Sequence, residues 1–110
     1  MSYPQNTLRS FVNTDGKLLL CNESFFSHFG CCTEHLIGKS VTDVVASGSA
    51  LLQAIQQCQS RPGECIMVET EKQCKEGCDL FRWLIYAEQG QGKIAGIHLI
   101  GNFITREKAA

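Results

Sequence analysis

Two short strands, a run of short helices ending in a longer one, and then three strands predict an α+β domain. Such an order builds a five-stranded antiparallel sheet with the short helices and the one longer helix on one face. Three observations carry this reading. Thr14-Asp15-Gly16-Lys17 is a turn signal between two apolar runs. Leu51, Leu52, Ile55 and Cys58 recur at helical spacing, and three segments rich in β-forming residues follow Gly63.

The elements follow in order. Leu8 to Asn13 and Leu18 to Cys21 read as a strand pair joined by the Asp15-Gly16 turn. Asn22 suits a helix N-cap, because its side-chain oxygen accepts from a free backbone N–H. Phe25, Phe26 and Phe29 then occupy one side of a short helix that stops at Gly30. Thr33 caps an expected single turn carrying Leu36 and Ile37 and closed by Gly38, and Thr42 to Ala46 forms another. Ser49 opens the longer helix, which sets its apolar residues opposite Gln53, Gln56, Gln57 and Gln59 and ends at Arg61-Pro62-Gly63. Cys65 to Glu71, Leu80 to Ala87 and Ile94 to Ile104 are the last three strands, and Gly90-Gln91-Gly92 turns the final pair.

At 110 residues the chain holds one core. Hydrophobic residues make up 44% and charged residues 19%, a globular composition. A net charge of −1 without a one-sign run predicts neither nucleic acid nor an anionic membrane surface as partner. No apolar run is long enough to span a bilayer. The polar opening from Met1 to Thr7 lacks the charged-then-apolar order of a signal peptide, so the protein is expected to be cytoplasmic. Seven cysteines, an odd number, fit a reducing compartment in which thiols act as small core hydrophobes.

Local motifs resemble those of the PAS family across about residues 8–108. Asn13-Thr14-Asp15-Gly16, followed by Cys21-Asn22-Glu23-Ser24-Phe25, is similar to the family's opening pattern. Phe29-Gly30 and Thr33-Glu34-His35-Leu36-Ile37-Gly38-Lys39 resemble its next segment. Phe81-Arg82-Trp83 looks like its Y-R-W strand, and Gly92-Lys93-Ile94-Ala95-Gly96-Ile97 like the start of its last strand. Each piece alone is a weak signal, but four in the right order are specific. The resemblance implies a sensor or interaction module, as in bacterial sensor histidine kinases, with residues 1–7 a tail, 8–105 the domain and 106–110 the start of a linker. It also implies an output domain elsewhere in the parent protein. Signal exit would then run through Phe103, Ile104 and Thr105. Where the family commonly ends this strand in D-I-T, this chain has Phe103-Ile104-Thr105.

Strand alternation sorts the sheet into two faces. With Gly90-Gln91-Gly92 as a three-residue loop, Phe81, Trp83, Ile85 and Ala87 share a face with Gly101, Leu99, Ile97 and Ala95. That face should lie under the helices. The cavity expected there, suited to a small apolar ligand, is lined by Phe25, Phe29, Leu51, Leu52, Ile55, Trp83, Ile85, Ile97 and Leu99. The same residues would equally make a closed core. The opposite face carries Arg82, Leu84, Tyr86, His98 and Ile100, too apolar to remain in water, and predicts a homodimer.

Cofactor chemistry is sparse. Haem-binding relatives place a proximal His on or near the long helix, but Lys39 to Gly63 contains none. Flavin photosensors of this fold use an N-C-R helix, which Gly30-Cys31-Cys32-Thr33 does not match. His28, His35 and His98 are each isolated. Cys74 and Cys78 could supply two thiolates, too few for a zinc or iron–sulfur site, and they define an alternative redox or metal-sensing reading. Phosphate loops, H-E-x-x-H and nucleophile elbows are missing from the sequence, so no enzyme activity and no catalytic residue is expected. No metal site is expected, and the cofactor remains unknown. The reading is a non-enzymatic module that binds a small ligand, self-associates, or both. A purely structural dimerisation domain is the alternative.

Overall fold

A computed structural model of the chain describes residues 7–29, 36–45, 48–74 and 77–108. The side chains of His28, Gln73, Cys74 and residues 105–108 are outside that description, as are the expected Thr33 cap and His35. The elements are β1 (Thr7–Val12), β2 (Leu18–Cys21), α1 (Glu23–Phe29), α2 (Val41–Val44), α3 (Gly48–Ser60), β3 (Ile66–Cys74), β4 (Gly77–Gly90) and β5 (Lys93–Lys108). All strand pairs are antiparallel, in the order β2-β1-β5-β4-β3, which places the first and last strands side by side.

Local chemistry explains the joints. Asn13 Oδ1 accepts from the backbone N–H of both Asp15 and Lys17, each at 2.9 Å, and Gly16 supplies the positive φ of 84° that the turn requires. Asn22 caps α1 as expected, its Oδ1 accepting from Phe25 N–H at 2.9 Å. The same oxygen accepts from Arg9 N–H, and Nδ2 donates to the Thr7 carbonyl, so one side chain also ties α1 to β1. Ser40 caps α2, and the backbone of Gly38 and Lys39 bonds to Leu18. That segment covers the exposed edge of β2.

The β4–β5 connection departs from expectation. Gln91 (φ 53°) and Gly92 (φ 79°) form a two-residue turn, with Gly90 opposite Lys93. A bulge at Glu88/Gln89 then takes up Ala95, so Ala87 opposes Ile97, Ile85 opposes Leu99 and Trp83 opposes Gly101. Each partner lies two residues beyond the expected one. A shift of two preserves the face, so the two sets of residues stand as read. Ala95 alone changes, since the bulge leaves it exposed.

The core lies between the inner sheet face and α1, α2 and α3. Leu8, Val12, Phe81, Trp83, Ile85, Ile97 and Leu99 from the sheet meet Phe25, Val41, Leu51, Ala54, Ile55 and Cys58 from the helices. Each large side chain so buried contributes about 1.5–3 kcal/mol relative to exposure. β5 continues paired to Lys108, beyond Thr105 where the sequence places the domain's end. Phe103 therefore sits within the sheet, with its ring 5.8 Å from Phe81 in an edge-on contact. Ile104 is exposed beside it. Among the described residues, no helix is long and apolar enough to cross a membrane.

Candidate functional site

The residues expected to line an internal cavity come together in the hydrophobic core. Phe25, Leu51, Ile55, Trp83, Ile85, Ile97 and Leu99 are all buried. Phe29 is half-buried and completes an aromatic cluster, with its ring 4.9 Å from Phe25 and 6.4 Å from both Phe81 and Trp83. Leu52 stands apart. It is half-buried against the Gly16 turn, and Ala54 takes the inward position on α3. The Trp83 indole donates from Nε1 to Thr70 Oγ1 at 2.7 Å, which satisfies the polar tip of an otherwise apolar core.

Among the described residues, one buried polar side-chain atom is unsatisfied. Ser10 is 6% exposed, and its Oγ has no hydrogen-bond partner. It lies on the inner face between Leu8 and Val12, paired across the strands with Cys21 on one side and Leu99 on the other. Sequence reasoning missed it, although the i, i+2, i+4 spacing of Leu8, Ser10 and Val12 would have placed it inside.

The outer face is built in rows. The first runs Leu20, Phe11, His98, Tyr86 across β2, β1, β5 and β4. Phe11 and His98 rings lie 4.6 Å apart, and His98 stacks on Tyr86 at 5.0 Å with planes inclined by 23°. His98 Nε2 is 3.0 Å from Glu88 Oε1. The second row runs Arg9, Ile100, Leu84, Met67, and the third Thr7, Asn102, Arg82, Glu69. Arg82 reaches Glu69 Oε2 through Nε and Nη2, at 3.2 and 3.0 Å. The five residues expected on this face are all there. Phe11, Leu20 and Met67 join them, with Leu20 66% and Met67 59% exposed. A shallow groove of about 380 Å³ runs over β1 and β2, walled by Arg9, Ser10, Phe11, Leu20, Cys21, Asn22 and His98.

The cysteines separate by environment. Burial pushes the Cys58 thiol above the ordinary thiol range, partly offset by its own backbone N–H, which favours the thiolate; separately, Sγ donates to Ile55 O at 3.2 Å. Burial also raises Cys21. Cys78 Sγ lies 3.6 Å from Glu71 Oε2, and Cys78 pairs across the strands with Gln73 while Cys74 pairs with Gly77. Among the described residues no three metal-ligating side chains converge.

The family model described as PAS fold matches residues 9–92, most of the chain. The chain belongs to the PAS family. Its fold is similar to that of a domain of an HTR-like protein from Haloarcula marismortui, with a TM-score of 0.74 at 17% identity over 91% of this chain and 99% of that one. It also resembles the PAS domain of BvgS from Bordetella pertussis, with a TM-score of 0.71 at 18% identity over 93% and 79%. The PAS domain of the RpfR quorum-sensing receptor from Cronobacter turicensis, solved in complex with BDSF, aligns with a TM-score of 0.68 at 19% identity over 96% and 100%. At these identities the likeness is one of fold. No curated protein sequence matches this PAS domain.

Proposed function

We propose that this PAS domain is a cytoplasmic, non-enzymatic interaction module of a larger signalling protein. It pairs with a second copy through the outer sheet face and so regulates an output domain. The observation that carries the reading is the outer face itself. Two adjacent rows, Leu20–Phe11–His98–Tyr86 and Ile100–Leu84–Met67, present apolar and aromatic surface to solvent. Stable pairs of proteins bury about 1,200–2,000 Å² in total, and a four-strand face is of the right order. Changes in that contact would reach the output domain along β5, through Phe103, Ile104 and Thr105.

Sedimentation velocity over a concentration series tests the reading. A dimer is expected for the native chain, and a folded monomer for Leu84→Glu. A native chain that stays monomeric at every concentration, or a Leu84→Glu chain that still dimerises, sinks it.

A second reading, a small molecule bound between the sheet and α1, is favoured by the buried Ser10 hydroxyl that no protein group satisfies. The likeness to a PAS domain solved with a bound small molecule supports it. In that case the module is a sensor as well as a docking surface.

A further inference from the structure

We infer that Ser10 Oγ is the polar anchor for an uncharged, largely apolar small molecule carrying one hydrogen-bonding group, such as an alcohol or a ketone. This inference rests on the second reading above, and it names the ligand class of that site.

A buried hydroxyl without a partner is uncommon in a folded protein and is costly when water is also excluded. Ser10 is such a group, on the central part of the inner face rather than in a turn. Directly across the strand pair is Cys21, half-buried on the same face, whose thiol is held neutral by its burial. The two short polar side chains are not hydrogen-bonded to each other. They form one small polar spot, a hydroxyl beside a thiol, in a wall otherwise made by Leu8, Val12 and Leu99.

Access is built in at the same place. β2 is an edge strand of four residues, and Cys21 ends it just before α1 begins. Leu8, Val12 and Leu99 are sealed, whereas Cys21 is only partly covered. A molecule entering between β2 and α1 passes Cys21 and reaches Ser10 first.

The charge balance of the interior selects against anions. The buried polar residues among those described are Ser10, Thr70 and Asp79; none carries positive charge. Thr70 Oγ1 is already occupied by the Trp83 indole. A carboxylate at Ser10 would therefore be buried with no cation among these residues to balance it. A neutral acceptor or donor meets no such penalty, and the hydroxyl serves either role.

The chain supplies its own reporter, because Trp83 is the sole tryptophan and is fully buried on the same face. The experiment titrates the intact chain with 1-hexanol and, separately, with hexanoate at neutral pH, following Trp83 emission and the heat of binding. The native chain is expected to bind hexanol and to ignore hexanoate. Ser10→Ala, which removes only the unpaired oxygen and should fold normally, is expected to bind hexanol about five- to tenfold more weakly. Equal hexanol binding by the native chain and Ser10→Ala overturns the anchor, as does hexanoate binding as well as hexanol; either result leaves an internal site standing. No response to either probe up to its solubility limit overturns the internal site together with the inference.

Discussion

Trp83 lies flat over Gly101, its cross-strand partner, so that a Cβ placed on Gly101 would come within 2.8 Å of Cε3 and Cζ3 of the indole. The ring has nowhere to go. Trp83 is fully buried, and its Nε1 is tied to Thr70. On the opposite face Phe11 covers Gly96 still more closely, but Phe11 is only half-buried. Its ring can swing toward solvent at the cost of its contact with His98. Gly101→Ala is therefore expected to destabilise by about 2–3 kcal/mol and Gly96→Ala by about 1 kcal/mol, within the range for overpacking. Urea unfolding of both variants checks the order. A Gly96 variant less stable than the Gly101 variant contradicts this account.

The Thr70–Trp83 hydrogen bond supplies a second expectation. Thr70→Val keeps shape and volume but leaves the indole N–H buried without an acceptor. It should cost about 1–3 kcal/mol, whereas Thr70→Ser should retain most of the bond. Thermal melts of the two variants compare them directly. A larger loss in Thr70→Ser than in Thr70→Val would mean that the threonine methyl, not the hydroxyl, is what the core requires.

Much of this fold was legible because its signals are local. The Asn22 cap, the Asp15-Gly16 turn and the β2 span need only neighbouring residues, and all appear where the residues place them. The inward face of α3 was nearly right. Leu52 and Ala54 both lie close to the apolar stripe, and periodicity favoured the larger, while the packing against the sheet took the smaller. The two sheet faces were assigned correctly through a wrong turn, because a shorter turn and a compensating bulge move the register by two. Ala95 records the difference. Non-local features were harder to see. Phe11, Leu20 and Met67 join the outer rows only through pairings between distant strands. Ser10 was passed over because a serine in a half-buried strand is ordinarily turned to water.

Asn22 makes the third case. Its side chain satisfies Phe25 N–H, Arg9 N–H and the Thr7 carbonyl, so it caps a helix and fastens that helix to β1. A cap alone is worth about 1 kcal/mol, with up to about 2 in folded proteins. Asn22→Ala should lie at the upper end, because it also frees the β1 groups. Asn22→Asp keeps the acceptor, loses the donor to Thr7 and should fall between. Hydrogen exchange provides the check: protection at Phe25 and Arg9 should drop together in Asn22→Ala. Loss at Phe25 alone would separate the cap from the tie.

The raised thiols of Cys21 and Cys58 set a pH dependence whose sign follows from linkage. Burial holds both thiols protonated in the folded chain, above their ordinary range. In the unfolded chain they release their protons as pH rises through about 8.5. Below that pH neither state is ionised, and the stabilising difference is fully present. Above it the unfolded state is increasingly favoured by deprotonation, so stability falls until the folded thiols titrate in turn. Urea midpoints of the native chain should therefore decline between pH 8 and about 9.5, before lysines begin to titrate. In Cys21→Ala/Cys58→Ala the midpoint should be lower at pH 7 but flatter over the same interval. Alkylation by iodoacetamide under native conditions adds a site-resolved check, with exposed Cys65 modified readily and buried Cys58 only as the chain unfolds. A double variant whose midpoint declines as steeply as that of the native chain would assign the alkaline loss to other groups.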